Sequence, residues 1–137
     1  MKIKNIFDIA GRAMAAQMVR LNTISSNLAN AGATTGDPET VYKPLKPEFK
    51  TQYSENVKKN GISTVNVSKV VELQKEPFKI FDPNHPLADG DGYIYKAPIN
   101  VEEEMVDMMD ASRQYQNNIE VVTTLKALTL KTINIGK

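Results

Sequence analysis

The sequence predicts a mainly α protein with a small β-rich insert, its long N- and C-terminal helices paired antiparallel in a coiled-coil-like arrangement. Three observations carry this. The stretch from Val101 to Ile135 runs thirty-five positions without Gly or Pro, the residues that most often break helices. Apolar residues near the N-terminus recur on a heptad. The region between carries the Gly, the Pro and the alternating patterns that mark turns and strands.

The first helix is expected over Ile6 to Ala31. Phe7, Met14, Leu21 and Leu28 are spaced by seven, and Ala10, Gln17, Ile24 and Ala31 follow each by three. Gln17 is the one polar intrusion. Asp8, Arg12, Arg20, Asn22 and Ser26 make the opposite face, and Gly11 weakens the helix by about 1 kcal/mol against Ala. An ordinary amphipathic core helix would look the same. An intersubunit packing helix fits better, because a second long stripe lies at the other end of the chain and little between could cover both.

The middle, residues 32–99, reads as a loop followed by a small antiparallel β unit. Gly32, Gly36, Pro38, Pro44 and Pro47 punctuate the loop. Val41-Tyr42, Glu48 to Tyr53, Ser63 to Leu73, Phe78 to Phe81 and Tyr93 to Lys96 are the strand candidates. In the third, Val65, Val67, Val71 and Leu73 alternate with Asn66, Ser68 and Glu72. Lys58 to Gly61 and Asp89 to Gly92 are the expected turns.

In the C-terminal helix Val101, Met105, Met108, Tyr115, Ile119 and Val122 recur at helical spacing. The stripe then drifts through Val121, Leu125 and Leu128. Acids (Glu102, Glu103, Glu104, Asp107, Asp110) crowd its start and Lys126 and Lys131 its end, both favourable to the helix macrodipole. Asn100 is placed to cap it. At about 1.5 Å per residue it is about 50 Å long, too long for so short a chain to bury. Residues 1–31 and 100–137 are therefore expected to form one packing unit around the insert. In it Leu28 would face Met105 or Met108, and Leu125 would face Phe7 or Ala10.

Composition narrows the function. A chain of 137 residues makes one ordinary domain or a small domain plus an elongated part, 41% apolar and 24% charged is normal for a soluble protein, and the absence of Trp argues against a large dense core. A formal charge of +1 gives no field to recruit nucleic acid. No cysteine means no disulfide or thiol chemistry. No run of apolar residues spans a membrane. Met1 to Lys4 starts like a signal peptide, but Asp8 and Arg12 interrupt the apolar core, so no cleaved signal is expected.

Chemistry finds no foothold. Asp82, Asn84, Asp89 and Asp91 suggest calcium, but counting from Asp89 places Tyr93 at five, Ile94 at six and Asn100 at twelve, which misses the EF-hand ligand spacing. No metal or other cofactor is expected. His85, the lone histidine, reads as a loop residue with local hydrogen bonds. Glu102 to Glu104 read as a helix first turn, and Met108-Met109 as packing. No enzyme is expected.

Three separated segments carry a resemblance. The run LNTISSNLANA from Leu21 to Ala31 resembles the N-terminal signature of the bacterial flagellar axial proteins, the rod, hook and hook-associated subunits. Phe7 to Gly11, the loose loop after Asn30 that replaces the common Thr-Pro-Gly-Tyr, and the element from Phe81 to Asp89 with Gly92-Tyr93 are similar to the proximal-rod members of that family. Asn100 to Gln116 and Leu125 to Gly136 resemble the rod C-terminal signature. The resemblance implies a structural subunit of the proximal rod of the basal body, without catalysis, that transmits torque and lines or surrounds the export channel. It implies type III export without signal cleavage, and a place in the rod across the periplasmic space. Its partners would be copies of itself, other proximal and distal rod subunits, the basal-body ring and the export apparatus, with no nucleic acid. The alternative is a cytoplasmic helical adaptor or secretion chaperone that uses the same stripes for a soluble dimer.

Overall fold

The computed structural model describes residues 3–52 and 64–135. Two helices and five strands follow in the order α1 (Ile3–Asn30), β1 (Thr34–Thr35), β2 (Leu45–Gln52), β3 (Thr64–Glu72), β4 (Phe78–Phe81), β5 (Tyr93–Lys96) and α2 (Val101–Ile135), with a 3₁₀ turn over Pro38–Thr40. α2 has the bounds its composition dictates. Asn100 caps it: its side-chain oxygen accepts from Glu102 N–H at 3.1 Å and from Glu103 N–H at 3.3 Å.

The two helices pack against each other and run antiparallel. Asn27 meets Glu104, Arg20 meets Asp107 and Asp110, and Gln17 meets Gln114. Small residues are buried on both helices: Ala10 and Ala16 on α1 and Ala111 on α2, the last completely. A second small core lies beyond the end of α1, where Ala31, Val41, Ala97 and Ile99 pack with Tyr42 and Tyr95 against them.

The single β unit expected from the sequence is two separate sheets. β2 and β3 form an antiparallel hairpin, and β1, β5 and β4 form a three-stranded antiparallel sheet in that order. The two-residue β1 was too short to show a period in the sequence. Val41-Tyr42, expected as a strand, instead follows the 3₁₀ turn and delivers Val41 to the core. Pro47, expected as loop punctuation, sits inside β2 opposite Val70. A two-stranded ribbon tolerates it because each strand has a free edge. The alternation in β3 breaks where Glu48 pairs with Lys69 but Phe49 with Val67, a bulge at Ser68. The expected turn at Lys58–Gly61, with Tyr53 and Ser63, lies outside the described residues.

The hairpin lies along α1. Its base touches Asn27 through Leu45, and Asn66, nearer its tip, lies 3.4 Å from the Arg12 guanidinium. The eight residues of strand from Leu45 to Gln52 span about 23 Å at ~3.3 Å per step. The sixteen residues of helix from Asn27 to Arg12 span nearly the same at ~1.5 Å per step. α1 is thus held between the hairpin and α2, whereas α2 packs chiefly on α1.

Candidate functional site

The best-built site is a node at the end where α1, β2 and α2 meet. Asn27 is the largest fully buried side chain, at 2% exposure. Its Nδ2 donates to Leu45 O at 2.9 Å and to Glu104 Oε2 at 3.2 Å. Its Oδ1 accepts from Leu45 N–H at 2.8 Å and from the Tyr42 hydroxyl at 3.1 Å. All four hydrogen-bonding positions of the amide are filled. The amide matches the N–H and C=O of Leu45 as a neighbouring strand would, so it joins a helix to a strand that has no partner on that side.

Two helical turns before it, Arg20 forks across to α2. Nη2 lies 3.1 Å from Asp107 Oδ1 and Nη1 lies 3.2 Å from Asp110 Oδ2. The guanidinium is mostly covered while both carboxylates are about half open, so solvent screening leaves this pair fixing register more than stability. Gln17 then donates to Gln114 Oε1 at 3.0 Å, and Gln114 donates to Asp110 Oδ2 at 3.1 Å. The polar intrusion at Gln17 belongs to this ladder.

The twelve packing residues expected from the sequence fall into two groups. Ile24 is buried, and Phe7, Met14, Leu21, Leu28, Met108, Tyr115, Val122 and Leu125 are half-buried. Met105, Ile119 and Leu128 are exposed at 54%, 42% and 56%. The physical reason lies in the wheel of α2. Ala111 is the buried position among the described residues of α2. Asp107, Asp110 and Gln114, which bond to α1, lie to one side of it, and the stripe of Met105, Met108, Tyr115, Ile119 and Val122 lies to the other. The stripe therefore forms one edge of the helix pair, half covered by α1 and half open. The antiparallel order places Leu28 level with the start of α2 and Leu125 level with the start of α1.

Sequence reasoning missed Asn27, Tyr42, Glu104 and Arg20 as anchors. Asn27 stands inside the run that carried the resemblance, but a polar residue beside Leu28 gave no sign of burial. The acidic loop is a folded turn. Asp89 Oδ1 accepts from Tyr93 N–H at 2.8 Å and from Asp91 N–H at 3.0 Å, and its Oδ2 accepts from the Tyr95 hydroxyl at 3.2 Å. These bonds, that from Tyr93 first, hold its carboxyl below the ordinary carboxylate range. Gly92 closes the turn at a φ of +80° that favours glycine. His85 Nδ1 accepts from Leu87 N–H at 3.1 Å. Gly36 approaches the same loop so closely that an added Cβ would stand 2.5 Å from Leu87 O. Among the described residues no three His, Cys, Asp or Glu side chains gather to hold a metal, and no helix is long and apolar enough to cross a membrane.

A long helix pair with an open apolar edge, locked by amides rather than lined for a ligand, is the build of a structural subunit. Two family models agree with that class. The one described as flagella basal body rod protein matches residues 7–36, and the one described as flagellar basal body rod FlgEFG protein C-terminal matches residues 91–135. The flagellar basal-body rod protein FlgC of Salmonella typhimurium is 42% identical, and that of Escherichia coli O6:H1 41%, each over the full length of both chains. The FlgC of Buchnera aphidicola subsp. Baizongia pistaciae is 28% identical, again over the full length of both. The chain belongs to the FlgC family of flagellar basal-body rod proteins and is a structural subunit of the rod.

Proposed function

We propose that this subunit polymerises into the proximal rod through its terminal helices, residues 1–31 and 100–137, joined along a coiled-coil-like seam. Residues 32–99 form an insert anchored to them by Asn27. The helices transmit torque along the rod and line or surround the export channel. The partners are copies of itself, other proximal and distal rod subunits, the basal-body ring and the export apparatus. The subunit reaches the periplasmic space by type III export without a cleaved signal, and no catalysis is involved.

The observation that carries this is uncovered surface. The chain exposes 9708 Å². A compact monomer of 15.2 kDa exposes about 7,100 Å², so the excess is about 2,600 Å². A standard interface covers about 800 Å² of each partner. Several neighbours are needed to cover the excess, as a helical assembly supplies and a soluble chaperone dimer does not.

The test is complementation of a strain lacking its own copy. Leu28→Asp and Leu125→Asp each put a carboxylate on a half-buried apolar position, where a charge costs several kcal/mol once neighbours close over it. Each variant is expected to stay soluble, to be absent from purified basal bodies and to abolish swimming. Normal assembly of both would overturn the reading.

A further inference from the structure

We propose that Met105 and Met109 form a modification site for peroxide, and that their oxidation bars the subunit from assembly until it is reversed. This rests on the assembly reading above and adds a chemical control to it. The chain has no Cys and no Trp, so its six Met are the side chains that a mild oxidant attacks most readily.

The methionines differ in access. Met105 and Met109 are exposed at 54% and 64%, and a spacing of four stacks them on one face of α2. Val106 beside them is exposed at 66%, so the three make one open apolar patch. Met18 is less open at 43%, and Met14 and Met108 are half-buried. Glu102 stands one turn before Met105, with Glu103 next to it. Hydrogen peroxide is neutral, so these carboxylates do not repel it as they would an anionic oxidant.

The step is an oxygen-atom transfer. The thioether sulfur attacks one peroxide oxygen and the O–O bond breaks. The transferred oxygen gives its proton to the departing hydroxide, which leaves as water. Sulfur is oxidised by two electrons to the sulfoxide, and peroxide is reduced. An adaptable apolar side chain thereby becomes polar. On the free chain the new oxygen faces water and costs the fold little. Under a neighbour it is a buried acceptor with no donor, which opposes closure of the interface. Two such groups one turn apart spoil the same patch. Methionine sulfoxide reductases undo the change, so the block is reversible. A covered patch is shielded, so the free subunit is the form that peroxide selects.

The test begins with hydrogen peroxide added to the purified full chain and sulfoxide followed at each Met by peptide mass spectrometry. Met105 and Met109 are expected to react about fivefold faster than Met14 and Met108, and methionine sulfoxide reductases A and B to reverse both. In complementation, Met105→Gln/Met109→Gln carries amides in place of the sulfoxides. It is expected to keep wild-type helix content by circular dichroism and to fall about tenfold in purified basal bodies. Met105→Leu/Met109→Leu is expected to assemble normally, and its new rods to be spared by a peroxide pulse that reduces those of wild type. If the Gln variant loses helix, the Leu variant decides alone. Oxidation of Met14 as fast as the pair, normal assembly of the Gln variant, or new rods of the Leu variant as sensitive as wild type would each overturn the proposal. If the Gln variant assembles while Leu28→Asp and Leu125→Asp stay excluded, the switch falls and the assembly reading stands.

Discussion

Asn27 shows how one side chain sets the geometry of three elements. Replacing it with Ala leaves the Leu45 N–H and C=O without their side-chain partner and takes one of two bonds from the Tyr42 hydroxyl, which keeps Ser26 Oγ at 3.2 Å. Each unsatisfied buried group costs roughly 1–3 kcal/mol. Asn27→Ala is expected to lower the melting temperature by several degrees, and Asn27→Asp to do worse, because its carboxylate faces Glu104 and cannot donate to Leu45 O. A thermal melt followed by circular dichroism checks both. Asp89 makes a pH prediction. Its folded pKa lies below the ordinary 3.8, so its bonds contribute stability that is fully present above that value and is lost as pH falls through the folded pKa. Asp89→Asn is expected to be less stable than wild type at neutral pH, with the difference shrinking below pH 3.8 in denaturant titrations across that range.

At the scale of elements, the helices were legible and the sheets only partly so. α2 announced itself through length, sorted charge and the Asn100 cap, all local signals. α1 starts three residues before and ends one before the expected bounds, within the usual fraying of helix ends. The split into two sheets was not legible, because the strand patterns do not say that β3 and β4 stay unpaired, and β1 is two residues that form a strand only by pairing with β5. The apolar stripe on α2 was found, but not which side of it meets α1. That is decided by Ala111 and by the carboxylates that reach Arg20, and small or acidic residues carry little weight in an apolar pattern. The contact at Ala111 has its own test. Ala111 has no exposure, so Ala111→Leu forces the helices apart at a cost of about 1–3 kcal/mol. The variant is expected to show a lower denaturation midpoint, with Ala127→Leu, on an exposed face, as the control that leaves it unchanged.

For the whole molecule, two long helices share a core built largely from alanine, and most of the described side chains in the far half of α2 are exposed. Helices gain most of their stability from packing rather than propensity, so the far end of α2 depends on neighbours. This ties the fold to the function: a subunit that completes its packing in the polymer stays adaptable before assembly and firm after it. Amide hydrogen exchange of residues 119–135, in the dilute purified chain and in isolated basal bodies, tests this most directly. Rapid exchange in the free chain and strong protection in the rod is the expected result. Equal protection in both states, from a chain that is monomeric by sedimentation, would show that α2 needs no neighbours and would contradict the account.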